Sequence, residues 1–180
     1  MANALLRTLV WVVISLGVFG MAHAETNQTQ AQAEAEASRA SQTIYVFRHA
    51  EKVANKPDPE LSEKGRRRAA NLAKVLSKAS IQRIYATKYQ RTQQTAQPLA
   101  TQLNQSVNTY AAGDSVGLIQ AIRAYGQTAV IIGHSNTVPD IVRAAGGDAP
   151  ELSEKDYGDL FVVQIVGGRV TTLRLFIPAE

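Results

Sequence analysis

Beyond its first 24 residues the chain has two histidines, His49 and His134, and each follows an apolar run of the kind that forms a buried strand. The first run, Thr43-Ile44-Tyr45-Val46-Phe47, continues into Arg48-His49-Ala50-Glu51. The second, Ala129-Val130-Ile131-Ile132, continues into Gly133-His134-Ser135-Asn136-Thr137. In open α/β sheets, ligands bind beyond the carboxyl ends of the strands, where side chains from several strands converge. Arg91, near the start of a predicted helix, adds a second guanidinium to this rim. Two guanidiniums and an imidazolium neutralise a phosphoryl dianion, and the arginine fork suits its oxygens. A neutral imidazole at His49 is placed to attack phosphorus in line, giving a phosphohistidine. Such transfer depends on positioning and electrostatic stabilisation, which fixed cations supply in place of a metal. The sequence has no dense His/Asp/Glu cluster at ligand spacing, so neither a metal nor another cofactor is expected.

The elements that must carry these residues alternate along the chain. A strand is predicted over Thr43–Phe47. The loop after it holds Pro57 and Pro59, and Ser62 then caps a helix that has Glu63 in its first turn, where the helix dipole favours negative charge. Ala69, Leu72, Ala73, Val75, Leu76 and Ala79 recur at helical spacing. A strand at Arg83–Ala86, a helix from Tyr89 to Leu103 and a strand at Val107–Tyr110 come next. They are followed by a helix at Val116–Tyr125, the most apolar strand at Ala129–Ile132 and a helix at Val138–Ala145. Leu160–Val166 and Val170–Phe176, separated by Gly167-Gly168, read as a terminal hairpin. The alternation predicts a single α/β domain over residues 43–180, a sandwich with a mostly parallel central sheet and helices on both faces.

The N-terminus is of another kind. Met1 to Ala24 carries Arg7, an apolar stretch from Leu9 to Phe19 and the small-x-small sequence Ala22-His23-Ala24, the pattern of a signal peptide. The apolar stretch falls short of the roughly 20 residues a spanning helix needs. Cleavage near Ala24, release to the periplasm and no stable membrane insertion afterwards are expected; a retained anchor is the alternative. Residues 25–42 are rich in Ala, Gln, Glu, Thr and Ser with no apolar face, and read as a flexible linker. Removing Arg7 from the 19 basic residues leaves 18 against 15 acidic ones, a formal charge of +3. That is too mild for a nucleic-acid footprint. With no cysteine, stability rests on a packed core even in an oxidising compartment.

Four segments carry a resemblance. Arg48-His49-Ala50-Glu51 resembles the Arg-His-Gly signature of the histidine phosphatase superfamily, with Ala50 in place of the glycine. Leu61-Ser62-Glu63-Lys64-Gly65 is similar to that family's Leu-Thr-x-x-Gly segment. Tyr85 to Ala96 resembles its Ser-x-x-x-Arg-x-x-Gln-Thr-Ala stretch, and Gly133-His134-Ser135 its Gly-His-Ser segment. The similarity implies a phosphoglycerate mutase-like fold, His49 as phosphorylated nucleophile, and a phosphate pocket of Arg48, Arg91 and His134. It implies a metal-independent phosphatase, with a phosphorylated small molecule or an envelope glycan or lipid as substrate. The large cap domains of the family are missing.

The general acid, which protonates the leaving oxygen and then activates water, stays open between two carboxylates. Asp114, in the turn after Val107–Tyr110, is preferred; Glu51, beside the nucleophile, is the alternative, with orientation of an arginine or histidine as its competing role. Asn55 is a further candidate for phosphate contact. Thr95 and Thr137 are candidates for supporting hydrogen bonds, with capping and packing as the alternative, and the run Arg66-Arg67-Arg68 reads as a solvated face. A domain that kept the pocket but lost the acid would bind phosphate without catalysis, which is the second reading.

Overall fold

The computed structural model describes residues 41–54 and 56–180. The predicted signal peptide, most of the predicted linker and Asn55 lie outside the described residues. These form six strands, β1 (Ser41–Arg48), β2 (Arg83–Ala86), β3 (Val107–Thr109), β4 (Ala129–Gly133), β5 (Asp159–Val166) and β6 (Arg169–Phe176). Four helices lie between them: α1 (Glu63–Leu76), α2 (Gln90–Leu103), α3 (Ser115–Ala124) and α4 (Val138–Ala144). The strands make one sheet in the order β3-β2-β4-β1-β5-β6. β3, β2, β4 and β1 run parallel, while β5 and β6 add an antiparallel edge beyond β1.

β1 and β4 are apolar on both sides because helices cover both faces. Phe47, Ile84 and Ile132 meet Leu72 and Leu76 of α1 and Leu99 of α2. On the other face, Ile44, Val46 and Ile131 meet Ile119 and Ile122 of α3 and Ile141 of α4. Each such side chain contributes about 1.5–3 kcal/mol on burial, so these two layers fix the register that matters for the site. Arg48 pairs with Gly133 across the β1–β4 ladder. The next residue on each strand is a histidine, so the two imidazoles emerge side by side.

Most boundaries follow the sequence pattern, with instructive differences. Ser62 caps α1 and accepts a hydrogen bond from the Gly65 amide. The helix ends at Leu76, so Ala79 lies in the turn that follows it. β1 begins at Ser41, two residues into the predicted linker. The Gln42 amide is buried there, donating to the carbonyls of Ile122 and Gln127 at 2.9 Å each, a tertiary match that local composition does not show. Gly167 and Gly168 both have positive φ (54° and 79°), as a tight right-twisted hairpin between β5 and β6 requires.

The basic run on α1 is a correction. Arg66 and Arg67 face solvent, but Arg68 is buried. It donates from Nε and Nη2 to the Glu51 carboxylate at 2.9 and 2.6 Å, and from Nη1 to the Ile177 carbonyl. It joins α1 both to the segment after His49 and to the chain that leaves β6. The same segment explains Gly65. A Cβ there would run into the Glu51 carbonyl, which already accepts from the Ser62 amide at 2.8 Å. Gly65→Ala is therefore expected to lose about 1–3 kcal/mol through overpacking, read as a lower urea midpoint.

Candidate active site

The carboxyl ends of β1, β4 and β2 bring His49, His134 and Thr87 together, and α2 adds Tyr89 and Arg91. The two imidazole centroids lie 5.4 Å apart in an edge-to-face arrangement. The His49 amide donates to the Gly133 carbonyl at 2.9 Å, extending the β1–β4 ladder one step beyond the strands.

The hydrogen bonds of His49 assign its tautomer. Nδ1 lies 2.8 Å from the Ala50 carbonyl, and a carbonyl only accepts, so Nδ1 carries the proton and the Nε2 lone pair is left for a reacting centre. The loop is fixed by Thr95: the Ala50 amide donates to Thr95 Oγ1 at 3.0 Å, and that hydroxyl donates to the Arg91 carbonyl at 2.7 Å. His134 is assigned in the same way. Arg91 Nη2 lies 3.3 Å from Nδ1; a guanidinium only donates, so Nδ1 accepts and Nε2–H donates to Thr87 Oγ1 at 3.0 Å. The His134 amide donates to Thr137 Oγ1 at 2.9 Å. Both threonines thus make the supporting bonds expected of them.

Burial is the main reason that both imidazoles are neutral. It pushes His49 down to about 3; the Ala50 carbonyl opposes this, and the charges of Arg48, His134 and Arg91 add to it. His134 is lowered to about 4 by burial and then by Arg91 and Arg48, with Glu154 opposing. Between these values and the ordinary 6.5 the unfolded chain binds more protons than the folded one. Stability is therefore expected to fall as pH drops from about 6.5 toward 4, by about 1.4 kcal/mol per pH unit for each histidine. Orthophosphate, by binding the folded state, should offset the loss. Urea midpoints from pH 7 to 4, with and without phosphate, check both effects.

The arginines differ in their commitments. Arg48 is only 1% exposed. Its Nη1 donates to the Ser153 and Asp156 carbonyls at 2.8 and 2.9 Å, its Nη2 donates to Glu154 Oε2 at 3.2 Å, and its guanidinium lies 4.1 Å over the Tyr157 ring. Arg91 packs 4.6 Å over Tyr89 and has Asp58 Oδ1 3.7 Å from Nη1. The Nε atoms of both arginines are buried and have no hydrogen-bond partner among the described residues. Buried donors of this kind normally have partners, and an anion bound between the arginines would supply them.

The carboxylates fall differently from expectation. Asp114 caps α3, with Oδ1 accepting from the Gly117 amide at 2.9 Å. It lines a cleft with Asp140 and Arg143 of α4, and the structure does not bring it to the histidines. Asp favours helix N-caps for the same short oxygen-bearing side chain that makes it attractive as an acid. Its neighbours Ala111 and Ala112 line a different cleft, of about 460 Å³, beside Thr87 and Tyr89. Glu51 faces Arg68 and Lys64. Burial pushes its carboxyl up, but the Arg68 hydrogen bond, a backbone hydrogen bond and the charges of Arg68 and Lys64 together outweigh this and it lies below the usual range, which disfavours a proton donor. The orienting role, directed at Arg68, is the one its contacts match.

The carboxylate beside the histidines is one that sequence reasoning missed. Glu154, in the segment between α4 and β5, contacts Arg48 and also accepts from Ser135 Oγ at 2.7 Å. Tyr157 of the same segment stands edge-on to His49, 6.1 Å between centroids. Tyr89 stands edge-on to His134 at 5.4 Å.

The fold is that of the phosphoglycerate mutase-like phosphatases. The protein histidine phosphatase SixA, solved with tungstate, superposes with a TM-score of 0.59 at 19% identity, over 74% of this chain and 96% of its own. A mycobacterial glucosyl-3-phosphoglycerate phosphatase solved with inorganic phosphate gives 0.59 at 15% identity, over 76% and 98%. Bacillus stearothermophilus YhfR gives 0.57 at 19% identity, over 72% and 94%. No curated protein matches the sequence. The model of the histidine phosphatase superfamily, branch 1, matches residues 44–112, the stretch that carries Arg48, His49 and Arg91. Residues 44–112 thus resemble the histidine phosphatase superfamily, and over the wider chain the likeness to the solved structures is one of fold.

Proposed function

We propose that this protein hydrolyses phosphomonoesters without a metal, through a phosphohistidine on His49 Nε2. The observation that carries the reading is the state of His49: neutral, with its Nδ1 proton held by the Ala50 carbonyl and its Nε2 lone pair beside two guanidiniums whose Nε–H groups lack partners. The imidazole attacks phosphorus, the bond to the leaving oxygen breaks, and water then cleaves the phosphorus–nitrogen bond. Arg48 and Arg91 bear the phosphoryl charge throughout, which is the task a metal performs in other phosphoryl-transfer sites.

Met1–Ala24 reads as a signal peptide, which supports placing the substrate in the periplasm, as a phosphorylated small molecule or an envelope glycan or lipid. Phosphatases of this fold act on targets as different as a protein histidine and a glucosyl phosphoglycerate, going by the names of the structures it resembles. A non-catalytic phosphate-binding module is the second reading, and the diversion of Asp114 to a helix cap is what favours it. The test uses radiolabelled p-nitrophenyl phosphate with excess chelator. Chelator-resistant turnover with an acid-labile label on His49 is the expected result. Phosphate binding without label or turnover overturns it in favour of the module.

A further inference from the structure

We propose that Glu154 is the acid–base residue of this site, protonating the leaving oxygen and then activating water; the inference rests on the phosphohistidine reading above. Its carboxylate spans the two halves of the site, with Oε2 on Arg48, the neighbour of His49, and Oε1 on Ser135, the neighbour of His134. Its side chain is 70% exposed, so it exchanges protons with solvent and meets a leaving group that departs outward. The other carboxylates near the rim are committed elsewhere, Glu51 to Arg68 and Asp58 to the Gln90 amide at 3.1 Å and to Arg91, while Asp114 caps α3 away from the histidines. The position after β3 that lines the Thr87–Tyr89 cleft holds Ala111 and Ala112, which have no proton to give.

Without substrate, Glu154 lies below the usual carboxylate range, chiefly through the Ser135 hydrogen bond and also through Arg48, Lys52 and His49, with partial burial opposing. A phosphoryl dianion beside Arg48 reverses the balance, since like charges at close range favour the protonated carboxyl. The substrate therefore loads its own acid. As His49 Nε2 bonds to phosphorus and the bond to the leaving oxygen breaks, the Glu154 proton passes to that oxygen. The carboxylate then takes a proton from water as the water oxygen bonds to phosphorus. The phosphorus–nitrogen electron pair returns to Nε2, and Glu154 ends protonated beside inorganic phosphate.

The test is Glu154→Gln, whose amide oxygen can still accept from Arg48 while its NH2 group donates to Ser135 Oγ. Wild type and variant are compared on p-nitrophenyl phosphate, whose leaving group needs little protonation, and on phenyl phosphate, whose leaving group needs more. In kcat/KM, which reports phosphorylation, the variant should lose about 100-fold or more on phenyl phosphate and only a few-fold on p-nitrophenyl phosphate. It should also show a burst of p-nitrophenol and accumulate label on His49, because water is no longer activated. Glu154→Asp, which keeps a carboxyl, should recover part of the phenyl phosphate rate. Equal losses on both esters, or none, would overturn the assignment and leave Glu154 as a clasp on Arg48. Failure of the wild type itself to form label on His49 would overturn the phosphohistidine reading and this assignment with it.

Discussion

Replacing His49 by alanine is expected to lower kcat for p-nitrophenyl phosphate by about 10⁴- to 10⁶-fold, the range seen when a covalent catalyst loses its nucleophile or the group that orients it. The chain should carry no phosphoryl label afterwards. The size of the effect follows from geometry: His49 is the histidine whose Nε2 is left without a partner by its own hydrogen bonds, whereas His134 gives both nitrogens to Arg91 and Thr87. His134 therefore cannot take over without breaking two contacts. Orthophosphate should still bind the variant, because Arg48 and Arg91 keep their charges and their unpartnered Nε–H groups. The variant is also relieved of a buried histidine, so its stability should fall less steeply in acid than that of the wild type. Rapid-quench labelling, phosphate titration and urea midpoints on one preparation measure all three. A label that survives in His49→Ala would move the nucleophile to another residue.

The parts of this site that could be read in the sequence are those held by local or strongly periodic features. The strands before His49 and His134 are continuous apolar runs because β1 and β4 are covered on both faces. Parallel pairing of two such runs brings their ends to one rim. Ser62 declares itself as a cap because the serine precedes a periodic run. Arg68 was hidden within three consecutive arginines, and only packing against Ile177 and Glu51, far apart in the chain, distinguishes it from its solvated neighbours. Asp114 shows the limit from the other side: a carboxylate in a turn after a strand suits an acid and a helix cap equally, and the start of α3 at Ser115, which puts the Gly117 amide three residues after Asp114, decides the matter. Glu154 had no local signature, since Arg48 lies 106 residues away and Ser135 lies 19 away. A carboxylate recruited by tertiary contact from a polar connecting segment becomes visible only when the fold closes.

Arg91→Ala is expected to lower kcat/KM by about 10³-fold, as loss of an arginine does where it bears transferring phosphoryl charge. Arg91→Lys should recover little of this, because a lysine is a point charge without the planar fork that matches phosphate oxygens. Arg91 is 17% exposed and is set by three contacts: Tyr89 under its guanidinium, Asp58 near Nη1 and His134 at Nη2. A shorter or rounder cation keeps none of this geometry intact. The substitution also carries a signature in pH. Arg91 is the largest charge holding His134 below its ordinary value, second only to burial, so its removal should raise the His134 midpoint above about 4. In the wild type His134 stays neutral in mildly acidic solution; in Arg91→Ala it should begin to protonate at higher pH. The imidazole resonances of His134, followed by NMR against pH, should therefore titrate upward in the alanine variant and stay near the wild-type position in the lysine variant. A midpoint unchanged by Arg91→Ala would mean that burial and Arg48 keep His134 neutral without it, and Arg91 would then act on the phosphoryl group alone.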